Sequence, residues 1–185
     1  MYLEQIKLKN TTTIVFIDET RAYVGQSREY GWGSSHERVY DARPKGKKAR
    51  VSLVAATSLN GAMAEQALVI SDTVNKNAFL CFLETTLLPT LARGSVIVMD
   101  NWTVHHGDEV RELVERFGCE LLYLSTYSPD LNPIEHLFAK IKAFIKSLRP
   151  DTTDKLIQAF CDAVKTVSPE NVLNAFKHCG YQMGQ

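Results

Sequence analysis

Two short runs of apolar, β-prone residues each lead directly into an aspartate. The first run covers residues 14–17 and is followed by Asp18, and the second covers residues 96–99 and is followed by Asp100. A short, fully apolar run of this kind is typical of a strand that is buried on both faces. We therefore predict two buried strands, each with a carboxylate at its carboxyl end.

Other strands and helices are predicted around these two. Strand character returns at residues 50–57, and Asn60-Gly61 predicts a tight hairpin turn that leads into a third strand at residues 67–70. Apolar residues recur at helical spacing at residues 75–91, 108–117 and 133–148, and one or two further helices are predicted within residues 152–185. A last apolar run predicts a strand at residues 121–124. This order predicts an α/β fold, with an antiparallel meander followed by alternating helices and strands.

The helix predicted at residues 133–148 carries a carboxylate beside its apolar stripe. Pro133 suits the first turn of a helix, and Glu135 follows it. Lys142, Lys146 and Arg149 come seven, eleven and fourteen positions after Glu135. The spacing therefore predicts a helix edge that bears one acid and then three cations.

Asp18, Asp100 and Glu135 lie on elements that can bring three carboxylates to one end of a sheet. Mg²⁺ prefers hard oxygen ligands and keeps several waters, so a few carboxylates and substrate phosphates complete its shell. Two such ions, about 3.5–4 Å apart, promote in-line displacement at phosphorus. Each acid alone also has a structural interpretation: a helix cap for Asp18, a strand end for Asp100 and a helix N-terminus for Glu135.

Composition limits the classes of protein to which this chain can belong. Its 185 residues are 45% hydrophobic and 23% charged, as in one ordinary globular domain, so we expect residues 1–185 to form a single domain. The 21 basic and 21 acidic residues cancel, so any contact with nucleic acid must come from local patches. The four cysteines are scattered and predict neither a zinc site nor a disulfide framework. No secretion signal or membrane span of about 20 apolar residues is found, which predicts a cytoplasmic protein.

A family resemblance rests on three motifs. The segment that ends at Glu135, Leu-Tyr-Leu-Ser-Thr-Tyr-Ser-Pro-Asp-Leu-Asn-Pro-Ile-Glu, resembles the signature of insertion-sequence transposases of the mariner superfamily, which have a DDE catalytic triad. Phe-Ile-Asp-Glu-Thr around Asp18 and Val-Met-Asp-Asn-Trp-Thr-Val-His around Asp100 resemble the other two family motifs, in the same order. Residues 30–32 and 178–181 also match, so the resemblance covers nearly the whole chain.

The resemblance implies a fold, a reaction and partners. The fold is ribonuclease H-like, a mixed five-stranded sheet flanked by helices, and Asp18, Asp100 and Glu135 match the triad that binds two Mg²⁺ ions, for which Mn²⁺ can substitute. The implied reaction is hydrolysis at transposon ends, followed by attack of the freed 3′-hydroxyl on target DNA, commonly at TA. A homodimer on paired DNA ends is implied, and we expect a prokaryotic mobile element that acts at the nucleoid.

Four residues near the triad are predicted to support it. Asn101 and His105 match similar residues of the family and are predicted to orient a metal ligand or contact a phosphate oxygen, with a purely structural role as the alternative. Asn132 and Pro133 match the family's Asn-Pro before the glutamate. They are predicted to fix the turn that aims Glu135 inward.

A DNA-contacting surface is predicted from clustered cations. Residues 43–50 hold five cations in eight positions and lie near Arg38 in sequence, although a solvated charged loop is the alternative. The cations of the helix that carries Glu135 form the second part of this surface. The full predicted set is Arg38, Arg43, Lys45, Lys47, Lys48, Arg50, Lys142, Lys146 and Arg149.

Departures from the family define the alternatives. Ser125-Thr126 replaces the usual Pro-Pro, and the N-terminal helix-turn-helix region that recognises transposon ends is expected to be absent. A haloacid dehalogenase-type phosphatase would need a second aspartate where Thr20 stands. A domesticated, inactive ribonuclease H-like domain that binds DNA or a partner is the other alternative; loss of a triad acid would favour it, and no triad acid is lost.

Overall fold

Five strands form one mixed sheet in the described part of the chain. The computed structural model describes residues 6, 9–28, 33–36, 38, 40, 49–60, 63–100, 107–125 and 128–181. The strands are β1 (Ile14–Tyr23), β2 (Arg50–Thr57), β3 (Ala67–Ile70), β4 (Val96–Met99) and β5 (Glu120–Tyr123), in the sheet order β3-β2-β1-β4-β5. The first three strands are antiparallel, and β4 and β5 run parallel to β1. The predicted mixed five-stranded sheet is confirmed.

Helices cover both faces of the sheet. They are α1 (Lys76–Cys81), α2 (Asp108–Arg116), α3 (Pro133–Leu148), α4 (Thr153–Lys165) and α5 (Pro169–His178). A π-helical segment (Phe82–Leu87) and a 3₁₀ turn (Leu88–Thr90) continue α1, and three further 3₁₀ turns occur at Thr11–Thr13, Met63–Glu65 and Pro129–Leu131. No helix of the described residues has the length and apolar character needed to cross a membrane.

The alternation of side chains along the strands divides the core into two layers. Phe16 and Val98 belong to the layer that α3, α4 and α5 cover, whereas Ile17 and Met99 belong to the layer under α1 and α2. Successive side chains of a strand point to opposite faces. Asp18, two residues after Phe16, therefore lies on the side of α3.

β1 is longer than the sequence predicts. Its apolar run stops at residue 17, but the antiparallel pairing with β2 continues to Tyr23 opposite Arg50. Beyond Asp18 only one face is buried, with Thr20 5% exposed and Arg21 open to solvent. The prediction that Asp18 ends its strand is wrong, because a half-buried, alternating segment extends β1 past it.

The predicted turn at Asn60-Gly61 lies partly outside the described residues, since Gly61 is not among them, and the connection between β2 and β3 is longer than a two-residue hairpin. β2 ends at Thr57 and β3 begins at Ala67, so the connection includes the 3₁₀ turn Met63–Glu65. The side-chain amide of Asn60 instead donates a hydrogen bond to the carbonyl of Thr12 at 3.1 Å. This tertiary bond holds Asn60 against the start of β1.

The cysteines, all of which the structure describes, are free thiols. Cys119 and Cys179 are buried, and Cys81 is exposed. Burial raises the pKa of the Cys179 thiol to about 11, with the negative charge of Asp130 as the second cause. This thiol therefore stays protonated at neutral pH.

Candidate active site

The three predicted acids share one pocket. The parallel ladder pairs Phe16 with Val98 and Ile17 with Met99, so Asp18 and Asp100 are the next residues along adjacent strands. Glu135 lies in the first turn of α3, which packs against β1 and β2. All three acids line an open pocket of about 410 Å³. Strand register and one helix start thus bring together residues that are distant in sequence.

The carboxylate of Asp18 is held at both oxygens. Asp18 is 8% exposed, its Oδ1 accepts a hydrogen bond from the backbone N–H of Glu19 at 2.6 Å, and its Oδ2 accepts one from the side-chain amide of Asn132 at 2.8 Å. A carboxylate offers about four lone-pair sites on its two oxygens. These two bonds constrain the direction of the Asp18 carboxylate.

Asn132 connects two of the acids. Its backbone carbonyl accepts a hydrogen bond from the backbone N–H of Glu135 at 3.2 Å, while its side chain is bonded to Asp18. Pro133 occupies the first turn of α3, as the sequence predicts. The contact between Asn132 and Asp18 is not evident from the sequence, because only the fold brings these two residues together.

The metal-binding capacity of the pocket follows from its donors. Asp18, Asp100 and Glu135 offer only oxygen donors, which suit Mg²⁺ or Mn²⁺ better than softer metals. Among the described residues, which include all three acids, no group of three or more His, Cys, Asp or Glu side chains is placed to hold one metal ion. Mg²⁺ is usually bound by one or two carboxylates with waters and substrate phosphates. The three acids therefore fit Mg²⁺ by the chemistry of their donors, in a mode that uses one or two carboxylates for each ion.

Cations line the same pocket. Arg50 contributes to it, but its Nε is paired with Asp72 Oδ1 at 3.1 Å. A backbone hydrogen bond from Thr73, and then the Arg50 side chain, lower the pKa of Asp72. Arg21 and Lys142 also line the pocket, and no ion pair joins either of them to an acid within the described ranges. These two charges are available to an anionic ligand.

Arg21 was missed by the sequence analysis. It stands as a single arginine in β1, and no cluster or motif marks it. The available signal is its position three residues after Asp18, in a segment where Thr20 is buried and Arg21 is exposed. Alternation along β1 places Arg21 and Asp18 on opposite faces of the strand, but both residues line the same pocket.

The other predicted cations have different positions. Lys146 is half-buried on α3 and, like the exposed Arg38, is absent from the described lining of the pocket. The prediction that Arg149 extends the edge of α3 is wrong, because the helix ends at Leu148 and Arg149 takes a left-handed conformation with φ 49°. Arg149 lines a separate groove with Asp151. The remaining predicted residues, Asn101, His105, Arg43, Lys45, Lys47 and Lys48, lie outside the described residues.

A family model and several transposases match this chain. The model described as "DDE superfamily endonuclease" matches residues 13–157. The Tc1 transposase of Caenorhabditis elegans is 33% identical over 95 residues, which are 49% of this chain and 34% of that protein. The Tcb2 transposase of Caenorhabditis briggsae is 29% identical over 96 residues, which are 50% of this chain and 35% of that protein. The match thus spans about a third of each relative, and these nematode proteins give the predicted prokaryotic origin no support.

Solved structures show the same fold. The Mos1 mariner paired-end complex with Mn has a TM-score of 0.74 at 21% identity, covering 95% of this chain and 55% of that one. The catalytic domain of the Mos1 mariner transposase has a TM-score of 0.65 at 19% identity, covering 95% of this chain and 81% of that one. The predicted ribonuclease H-like fold is confirmed by this likeness.

Proposed function

This chain belongs to the DDE superfamily of endonucleases, and from that membership we propose that it is the catalytic domain of a DNA transposase of the Tc1/mariner type. One observation carries the proposal: Asp18, Asp100 and Glu135 line one open pocket, and all three lie within the segment that matches the family. In this proposal they are the catalytic acids. Their shared pocket makes three separate structural roles a poorer explanation.

The proposed cofactor is a pair of Mg²⁺ ions, for which Mn²⁺ can substitute. Asp18, Asp100 and Glu135 would hold them, and when bound they would supply activation of the attacking oxygen and stabilisation of the leaving oxygen. Asp18 presents a carboxylate whose direction is fixed by Glu19 and Asn132. Glu135 lies exposed at the helix start, where it can reach a ligand that enters from solvent.

The proposed substrate is DNA, in two successive roles. Water first attacks a phosphorus at a transposon end and displaces the 3′-oxygen of the neighbouring nucleotide, which leaves as a 3′-hydroxyl. That 3′-hydroxyl then attacks a phosphorus of the target DNA and displaces a 3′-oxygen of the target strand. TA is the proposed target, and a homodimer on paired ends is the proposed assembly. The openness of the pocket supports a long substrate, because a polymer must enter and leave sideways. Arg21 and Lys142 support an anionic one.

We propose that Lys142 contacts a DNA phosphate beside the acids, with Lys146 one turn further along α3. Lys142→Glu is expected to weaken binding of a short DNA duplex by about tenfold and to lower the salt dependence of binding by about one phosphate contact. Fluorescence anisotropy without divalent metal, at several salt concentrations, measures both effects. Arg21→Glu is expected to behave in the same way.

The matched control for these changes is Lys177→Glu, which reverses an exposed charge on α5, away from the pocket. It is expected to change binding much less. Equal losses in Lys142→Glu and Lys177→Glu would mean that DNA responds only to net charge, and the proposed path along α3 would then be rejected.

Nicking of supercoiled plasmid tests the proposed activity. The purified chain is expected to convert supercoiled to relaxed plasmid with Mn²⁺ or Mg²⁺ and to be inactive in EDTA. A chain that stays inactive with both metals, even when fused to an upstream DNA-binding region, would reject the proposal. That result would favour the domesticated, inactive domain.

A further inference from the structure

We infer that Asn132 and Tyr181 are positioning residues that set the direction of the Asp18 carboxylate, through a chain of contacts that begins after the last helix. The inference rests on the proposed function, because it treats Asp18 as a metal ligand. It assigns a role in the site to a residue from the C-terminal end of the described chain. Neither residue is proposed to touch the reacting atoms.

The first link joins Asn132 to Asp18. Asn132 is 3% exposed, and its amide donates to Asp18 Oδ2 at 2.8 Å. A hydrogen bond to an ionised group is shorter and stronger than one between neutral groups. Because Asp18 is itself buried, the loss of this donor would remove a constraint on the direction of its carboxylate.

Asn132 lies at the position before α3 where a side chain usually caps its own helix. The residues that precede α1, α4 and α5, namely Asn75, Thr152 and Ser168, each use their side chain to accept a hydrogen bond from their own helix. Asn132 holds the same position before α3 but makes no such bond to the described helix. Its Oδ1 is buried and has no partner in the described part of the chain. A local rule broken in this way is typical of a functional site.

The second link joins Tyr181 to the turn that carries Asn132. The Tyr181 hydroxyl donates a hydrogen bond to the carbonyl of Leu131 at 2.6 Å, and Leu131 is the residue before Asn132. Gly180, with φ 81°, ends α5 in the left-handed conformation that favours glycine and turns the chain back. The hydroxyl of Tyr181 therefore joins the segment after α5 to the turn that carries Asn132.

The ring of Tyr181 supplies the other half of this link. It packs edge-on against Phe16, with ring centroids 5.1 Å apart. Phe16 precedes Asp18 by two residues on the same face of β1. Tyr181 thus contacts the strand that carries Asp18 through its ring and the turn that carries Asn132 through its hydroxyl. Tyr181 therefore helps to set the distance between the Asn132 amide and the Asp18 carboxylate.

Binding of Mn²⁺ without DNA tests the inference. Partners that orient a metal ligand typically contribute 10- to 100-fold to affinity, so Asn132→Ala is expected to raise the Kd for Mn²⁺ by at least about tenfold. Tyr181→Phe keeps the ring and removes only the hydroxyl, and a rise of about three- to fivefold is expected, a smaller part of the same effect. Titration calorimetry on the whole chain measures both values.

A double variant tests whether Tyr181 acts through Asn132. If it does, Tyr181→Phe has no further effect on the Kd once Asn132 is alanine, whereas independent residues would give effects that multiply. Asn174→Ala and Tyr23→Phe are the matched controls, since both side chains are exposed and lie outside the described pocket lining. Both controls are expected to leave the Kd unchanged.

Each outcome separates this inference from the proposed function. A lower melting temperature with an unchanged Kd in both single variants would show a merely structural role and overturn the inference, as would multiplying effects in the double variant for the role of Tyr181. If Asn132→Ala does not fold, Tyr181→Phe alone decides. A wild-type chain that binds no Mn²⁺, or binds it equally well as Asp18→Ala, overturns the proposed metal site and this inference together.

Discussion

Asp100→Asn is expected to lower metal-dependent DNA cleavage by at least about a thousandfold. Asparagine keeps the size of the side chain and one oxygen, but it removes the negative charge that holds a divalent ion. A metal ion supplies several kcal/mol of transition-state stabilisation, and about 4 kcal/mol corresponds to a factor of about a thousand in rate. The initial rate of plasmid nicking at saturating Mn²⁺ measures the loss.

The matched control is Asp108→Asn. Asp108 is an exposed acid in the first turn of α2, so this variant makes the same chemical change outside the described lining of the pocket. Its nicking rate is expected to stay within about twofold of wild type, as for most surface changes. Circular dichroism checks that both variants are folded. Cleavage by folded Asp100→Asn within tenfold of wild type would exclude Asp100 from the proposed triad.

Glu135→Gln tests whether Glu135 is catalytic or is only an acid at a helix start. A large loss of DNA cleavage would indicate the catalytic role. An acid in the first turn of α3 stabilises the helix by less than about 1 kcal/mol when exposed, and its loss should barely change cleavage if that were its only role. Glu112→Gln, an exposed acid on α2, is the control.

The positions of Asp18 and Asp100 could be predicted because backbone geometry follows from the apolar pattern. Two buried runs that pair in parallel bring the residues that follow them side by side, whatever surrounds them. The sequence did not reveal how far β1 continues, because this depends on the partner strand β2. Its pairing out to Arg50 is a tertiary fact.

The supporting contacts could not be predicted, because each joins segments that are distant in sequence. Asn132 donates a hydrogen bond to Asp18 from the turn before α3, and Tyr181 donates one to Leu131 from beyond α5. The spacing of residues also predicts that the helix includes Arg149, whereas the helix ends at Leu148. Periodicity alone does not show where a helix ends. A left-handed residue other than glycine or asparagine gives no clear sequence signal.

Helical spacing also does not predict the type of helix that follows α1. The apolar positions predict one helix over residues 75–91, and the structure instead has α, π and 3₁₀ segments in succession. Phe79, Phe82 and Leu83 are still buried against the sheet. Hydrophobic pattern fixes the face that is buried, but not the hydrogen-bonding partner of each backbone carbonyl.

Phe16→Ala is expected to lower the free energy of unfolding by about 3–5 kcal/mol, the usual cost of removing a fully buried phenylalanine. Phe16 is 0% exposed and packs edge-on against Phe176 at 5.4 Å as well as against Tyr181. The loss is a large part of the 5–15 kcal/mol that stabilises a typical domain. Urea unfolding followed by circular dichroism measures it. Phe144→Ala, a half-buried phenylalanine on α3, is the control and is expected to cost less than half as much.

A second substitution at the same position separates packing from positioning. Phe16→Leu keeps an apolar side chain and is expected to cost less than Phe16→Ala, but it removes the ring on which Tyr181 rests. We therefore expect its Kd for Mn²⁺ to rise about as much as in Tyr181→Phe, at a stability closer to wild type. A Kd that follows the loss of stability across Phe16→Leu, Phe16→Ala and Phe144→Ala would instead mean that general loosening of the core weakens the site. The inference is supported only if the Kd for Mn²⁺ rises specifically in the variants that disturb Tyr181. That result would mean that the contact between Phe16 and Tyr181 positions the strand of Asp18 relative to the turn of Asn132.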